Sequence, residues 1–143
     1  MADKKLRLKV ATPAGFAVDQ DCDMIIMRCT DGDMGVLPGH QASSVILDHG
    51  VLRLIDDGVE YKLAVMGGVG EVERDVMTIL TPSALWPHEI DAAMARSEKE
   101  DAERRLEQKL DEHEERRNKA LLARALVHVE VSTHVVAQVD RDV

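Results

Sequence analysis

A chain of 143 residues has room for one ordinary domain or two very small ones. Its apolar share of 45% is that of a globular protein, yet Phe16, Tyr61 and Trp86 are the only aromatics, so the core must be built from Val, Leu, Ile, Met and Ala, with no platform for stacking bases or a flat cofactor. A formal charge of −9 repels a phosphate backbone and excludes nucleic acid as a partner.

The start, MADKKLRLKV, carries lysines but no uninterrupted apolar run, so it does not read as a secretory signal. No later stretch approaches the roughly 18 apolar residues of a membrane span, and a soluble protein made in the cytosol is expected. Within KKLRLKV, Leu6, Leu8 and Val10 alternate with Lys5, Arg7 and Lys9, the period of a half-buried strand. CDMIIMRC, from Cys22 to Cys29, predicts a more fully buried strand. SSVIL, at 43–47, predicts another, closed by Asp48-His49-Gly50. Asp56-Asp57-Gly58 lies between two alternating runs and predicts a hairpin; Glu73-Arg74-Asp75 predicts a second turn. Short strands without helical pattern between them indicate a small β-sandwich or barrel over residues 1–84.

The pattern changes at TPSALWPHE, and residues 85–88 read as a linker. From Glu89 onward there is no Gly or Pro, and Ala, Glu, Arg, Lys and Leu dominate, so residues 89–143 are expected to be helical. Ile90, Met94, Ala102, Leu106 and Leu110 form a thin apolar stripe on the first helix. KLDEHEERRNK, at 109–119, predicts a bend. ALLARALVHVEV, at 120–131, is the apolar part of a second helix, with a stripe through Leu121, Leu122, Ala125, Leu126 and Val129. The alternating Val127, Val129 and Val131 would also suit a strand; the pattern favours helix through Thr133.

Chemistry is scarce. MGGVGE, at 66–71, lacks the Gly-Lys-Ser/Thr of a phosphate loop and places Glu71 where a cation belongs, so its glycines read as a bulge or a close backbone contact. The six histidines are scattered without metal-ligand spacing, and Cys22 and Cys29, seven apart, suit buried thiols in a reducing compartment. Neither serine of Ser43-Ser44 sits in a nucleophile elbow. No catalytic residue, metal site or cofactor is expected, and a strand domain joined to a weakly anchored helical pair reads as an interaction module.

GDMGVLPGH (Gly32–His40), VMGGVGEVERDVMTIL (Val65–Leu80) and EIDAAMA (Glu89–Ala95) together resemble the epsilon-subunit family of the F-type ATP synthase, in order and spacing across essentially the whole chain. The resemblance implies an N-terminal β-sandwich of about ten short strands followed by a C-terminal antiparallel α-helical hairpin. It implies a non-catalytic rotor subunit, bound to a gamma subunit and resting on the c-ring, that couples proton or sodium flow to ATP synthesis. It places the protein peripherally on the cytoplasmic face of a bacterial cell membrane, held there only through the complex. In bacterial members the mobile hairpin can extend into the catalytic alpha/beta hexamer and block ATP hydrolysis.

Residue by residue, Asp33 and His40 match positions on the side facing the c-ring, with turn chemistry as the plain alternative for both. Ala42 stands where the family commonly has proline. Arg116, Arg117, Lys119 and Arg124 are the candidates for inhibitory contacts with the acidic loop of the catalytic subunits; a solvated face opposite Glu112, Glu114 and Glu115 is the alternative for the first three. Of the nucleotide signature found in some bacterial members, Ile90, Asp91, Ala95 and Arg124 fit. Met94 replaces the motif arginine and His128 a second basic position, which removes bidentate phosphate donors, so ATP as a regulatory ligand is not carried over. In the plain reading Ile90 and Met94 pack inward at a helix start. A stand-alone ATP sensor and a small enzyme built on the Gly35–His40 loop are the rival readings.

Overall fold

The computed structural model describes residues 4–138, so Val139 and the rest of the expected helical segment to residue 143 lie outside the described residues, as do residues 1–3. Eight strands come first: β1 (Leu6–Thr12), β2 (Gly15–Cys22), β3 (Met24–Cys29), β4 (Gly32–Val36), β5 (Ser43–Asp56), β6 (Val59–Glu73), β7 (Val76–Leu80) and β8 (Ala84–Leu85). Two helices follow, α1 (Ala92–Leu106) and α2 (Glu112–Ser132), and then a short strand, β9 (Ala137–Gln138). The strands are hydrogen-bonded in the order β2-β1-β7-β6-β5-β3-β4, with β8 and β9 both pairing on β6. One buried cluster draws on every strand from β1 to β8, which makes the folded-over sheet a sandwich.

Alternation sets the inward face. Leu6, Leu8 and Val10 of β1 are fully buried, as are Ile25, Val36, Leu54, Leu63 and Ile79. Cys22 and Cys29 are buried free thiols; burial pushes the Cys22 thiol up to about 12. Both expected hairpins form. The β5–β6 ladder ends at Asp56 opposite Val59, with Asp57 and Gly58 at positive φ, and the β6–β7 ladder ends at Glu73 opposite Val76, with Arg74 and Asp75 at positive φ. These are two-residue turns of the type that suits the strand twist.

Asp48-His49-Gly50 does not close a strand. β5 runs through it, because β6 pairs with it antiparallel in one register from Val59 to Val72, skipping only Asp48 opposite Gly67. The register against β3 slips between Ile26 and Cys29, and Gly50 occupies that slip: a Cβ there would lie 2.3 Å from Arg28 Cβ. The glycines of MGGVGE act as close contacts, as read from the sequence. Gly68, at φ 116°, lies against β7 so closely that a Cβ would meet the Leu80 carbonyl oxygen at 2.1 Å.

β6 is buried on both faces over Leu63–Gly67. Leu63 and Val65 point into the sandwich; Ala64 and Met66 point out and form a second, smaller cluster with Val131 of α2, edged by Val51, Ile90 and Val127. The helical hairpin sits on this outer patch. Helix α1 buries only Ala95 and Ala102, and α2 buries Asn118, Ala125, His128 and Val131, the last of these against β6. Lys62 pairs with Glu130 at 3.6 Å, His134 Nε2 lies 3.2 Å from the Glu60 carbonyl, and β9 adds to the end of β6 at Val59 and Glu60.

Three local expectations are corrected. Residues 112–119 are not a bend but the first turns of α2: Asp111 caps it by accepting the Glu114 N–H at 2.8 Å, and three glutamates in the first turn favour the helix dipole. Met94 does not pack inward; it is 60% exposed, because the inward line of α1 runs through Ala95 and Ala102. Leu126 likewise stands outside the α2 contact face, which instead carries Asn118 and His128, while Leu121 is 39% exposed and lines a cleft against α1. Residues 127–132 are helical, as the pattern favoured.

Replacing Gly68 with alanine imposes both a disfavoured backbone angle and a backbone clash. Gly68→Ala is expected to lower unfolding stability by about 2–4 kcal/mol in urea titrations.

Candidate functional site

The register across five strands brings one row of outward residues into line. Ile46 of β5 lies opposite Val69 of β6, Val69 opposite Leu80 of β7, Leu80 beside Ala11 of β1, and Ala11 opposite Phe16 of β2. Ile46, Val69, Leu80 and Phe16 are 63%, 51%, 55% and 66% exposed. The neighbouring row on the same face, Ser44, Glu71, Thr78, Lys9 and Asp19, is polar or charged. Single exposed apolar residues are ordinary; a continuous band with a polar border is the mark of a docking surface. Ser44, Val45, Ile46, Val69, Gly70, Glu71, Thr78 and Leu80 line a shallow groove along part of it.

The Gly32–His40 segment runs through β4 into a turn. His40 N–H donates to the Leu37 carbonyl at 3.1 Å, with Pro38 at the first central position and Gly39 at φ 84° at the second. That is a type II turn, whose second central residue must take positive φ. Asp75, in the β6–β7 turn, fixes it from outside: its carboxylate accepts the Gly39 N–H at 2.6 Å and pairs with Lys4 at 2.8 Å, while its carbonyl accepts the Arg7 N–H at 2.8 Å. The Lys4 ammonium, aided by the Gly39 N–H, holds the Asp75 carboxyl below the usual carboxylate range.

Asp33 and His40 are not brought together. Asp33 is exposed in β4 and pairs with Arg28 across the ladder at 3.3 Å, a cross-strand partner rather than the turn-forming acid considered above. His40 is half-buried in its turn, with Nδ1 2.7 Å from the Gln41 carbonyl.

On the hairpin, three of the four nucleotide-signature residues have structural positions. Ile90 packs against the Ala64–Met66–Val131 cluster, Asp91 caps α1 by accepting the Met94 N–H at 3.0 Å, and Ala95 is buried between the helices. Arg124 lines a cleft with Glu98, Asp101, Ala102, Arg105 and Leu121. Two acids there offset two arginines, which is a poor cradle for a polyphosphate. Arg116, Arg117 and Lys119 are exposed along α2, and Lys119 pairs with Glu115 at 3.1 Å. Asp23, Asp56 and Asp57 cluster at the β5–β6 turn, but the Lys5 ammonium sits among them at 2.6–3.0 Å and serves as their cation.

Family comparison accounts for both halves. The model of the ATP synthase delta/epsilon chain β-sandwich domain matches residues 5–87, and that of the long α-helix domain matches residues 88–132. The chain belongs to the ATP synthase delta/epsilon chain family. The ATP synthase epsilon chain of Caldicellulosiruptor bescii is 39% identical over 85% of this chain and 89% of that protein; that of Caldanaerobacter subterraneus is 37% identical over 92% and 96%. A chain of the cryo-EM structure of Euglena gracilis mitochondrial ATP synthase, OSCP/F1/c-ring in rotational state 1, superposes with a TM-score of 0.77 at 26% identity, covering 91% of this chain and 82% of that one. A chain of the Tetrahymena thermophila mitochondrial ATP synthase central stalk/c-ring shares the fold, with a TM-score of 0.62 at 17% identity.

Within a delta/epsilon chain, the aligned apolar row is the surface feature that sequence reading did not find. Its members are spread over residues 11–80, and only the strand register lines them up. The partial signal was apolar residues at outward positions of alternating strands.

Because the Asp75 carboxyl is held low, its contribution to stability is complete above the ordinary carboxylate range and is lost as pH falls through its depressed value. Urea midpoints measured from pH 7 to pH 2.5 are expected to fall more steeply for the wild type than for Asp75→Asn, with the two curves converging at the acid end.

Proposed function

We propose that the chain works in the central stalk of a bacterial ATP synthase, docking to a gamma-type subunit through the Ile46–Val69–Leu80–Ala11–Phe16 row. The protein is an accessory subunit of the epsilon type and makes or breaks no bond itself; it couples ion flow through the c-ring to synthesis by holding position within the rotor. The apolar row carries the reading: it aligns Phe16, Ile46, Val69 and Leu80, four of the large exposed apolar residues of the sandwich, and a rotor element needs a contact firm enough to transmit torque. Membrane attachment is through the complex, on the cytoplasmic face; among the described residues no helix is long and apolar enough to cross a bilayer.

The turn at Leu37–His40 and the neighbouring Asp33 are assigned to the polar loops of the c-ring. Asp75 supports that assignment, since it holds the turn rigid from a second element. The hairpin is assigned the braking role. Arg116, Arg117, Lys119 and Arg124 are already exposed on α2, and extension would carry them together toward the acidic loop of the catalytic subunits. Such exposed charges contribute little singly, so inhibition requires several at once with apolar burial beside them. No nucleotide is assigned to the cleft between the helices.

Two experiments test this. Ile46→Asp and Leu80→Asp place a carboxylate in the row without altering the inward face. Each is expected to weaken capture by gamma-type subunit at least about tenfold in surface-plasmon measurements, given the several kcal/mol cost of burying an unpaired charge; unchanged affinity would move the docking surface elsewhere. Deleting residues 89–143 is expected to raise ATP hydrolysis by the reconstituted catalytic head while leaving gamma capture intact. Equal hydrolysis with and without the hairpin would remove the braking role and leave the rotor role standing.

A further inference from the structure

Two imidazoles at the contact between hairpin and sandwich each have one buried ring nitrogen without a partner among the described residues, and the functions assigned above use neither. His128 lies on the buried face of α2, one turn before Val131, and is 7% exposed. Its Nε2 is buried and has no hydrogen-bond partner among the described residues, and the same holds for Nδ1 of His49 on β5. His49 lies opposite Met66 in the β5–β6 ladder, with its ring close to Gly67, at the edge of the patch on which α2 sits.

We propose that His128, buried on α2 where that helix packs on β5, is a proton-operated latch: neutral, it lets the hairpin lie on the sandwich; protonated, it drives the hairpin off. The reading rests on the docked geometry alone and is independent of whether the released hairpin inhibits hydrolysis.

The charges around His128 come from each element that could answer a proton there. Arg124, one turn earlier on α2, opposes it, as does His49 from β5; Glu98 of α1 favours it. β6 contributes apolar Ala64 and Met66 to the contact. Burial is the largest influence, followed by Arg124, and the ring is held below the free imidazole value of 6.5 when docked. The linkage sign follows. Well above pH 6.5 both states are neutral and the hairpin is fully docked. As pH falls through that range the released hairpin takes up a proton that the docked one refuses. The ratio of docked to released chains then drops by up to about tenfold per pH unit, until the docked value is reached. The attachment this works against is slight: one small apolar cluster, one ion pair between Lys62 and Glu130, the His134 ring against the Glu60 carbonyl, and the two-residue β9. A single linked proton is therefore commensurate with it.

The test uses energy transfer in the full chain from Trp86, the only tryptophan, to an acceptor on Val135→Cys; that position is 80% exposed and follows His134, which lies against Glu60, while Tyr61 packs on Trp86, and Cys22 and Cys29 are buried and do not compete for label. High transfer at pH 8 should fall reversibly toward pH 5.5, and His128→Gln should abolish most of that fall while keeping transfer high. Imidazole proton resonances of the wild-type chain should show His128 titrating below the free imidazole value of 6.5, which reads the latch without any variant. Transfer that stays flat to pH 5.5, an undiminished fall in His128→Gln, or a His128 ring titrating like a free imidazole would each overturn the proposal.

Discussion

The structure depends on burying the β5–β6 ribbon on two faces at once. Leu63 and Val65 point into the sandwich while Ala64 and Met66 point out of it, so one strand serves as floor for the helices and wall for the core. Alternation makes this unavoidable: a strand apolar over five consecutive residues must be covered on both sides. The inner cover is the sandwich itself. The outer cover is α2, through Val131, Val127 and the neighbouring Ile90.

The two covers differ greatly in depth. The sandwich encloses Leu, Ile, Val and Met side chains from eight strands, whereas the hairpin interface is made chiefly of Ala64, Met66 and Val131. Apolar burial is worth roughly 25 cal/mol per Å², so the hairpin is held far less firmly than the strands beneath it. The proposed function, a rotor element carrying a movable brake, has just this need: one part that does not yield, and one that leaves without unfolding the first. The exposed row from Ile46 to Phe16 lies on strands of the rigid part, which suits the proposed lasting contact with a gamma-type subunit.

Much of this was legible in the residues. Leu6, Leu8 and Val10 declared their strand by period alone, and Asp57-Gly58 and Arg74-Asp75 declared their turns. Pro38-Gly39 marked a turn whose angles the two residues supply between them. Other parts were not legible for definite reasons. β2 and β4 escaped because Gly15–Cys22 and Gly32–Val36 contain too few apolar residues to show a period. Asp48-His49-Gly50 imitates a turn; only the slip against β3 at Arg28 shows that the glycine is there for space. The start of α2 carried a signal, Asp111 three residues before Glu114, which the lack of an apolar stripe over 112–119 obscured. At the candidate sites, Asp33 and His40 were found as residues, but their partners Arg28 and Gln41 were not. The docking row and the two histidines at the hairpin contact depend on the alignment of distant strands and on helix docking, which no local pattern encodes.

Amide hydrogen exchange on the intact chain, resolved residue by residue, tests the central asymmetry most directly. Amides within β1, β3, β5, β6 and β7 should exchange only through global unfolding, while those of α1 and α2 should exchange through a separate opening of clearly lower free energy, together and without exposing the strands. Equal protection in helices and strands, with one common denaturant dependence, would mean that hairpin and sandwich open as a single unit and would contradict the account.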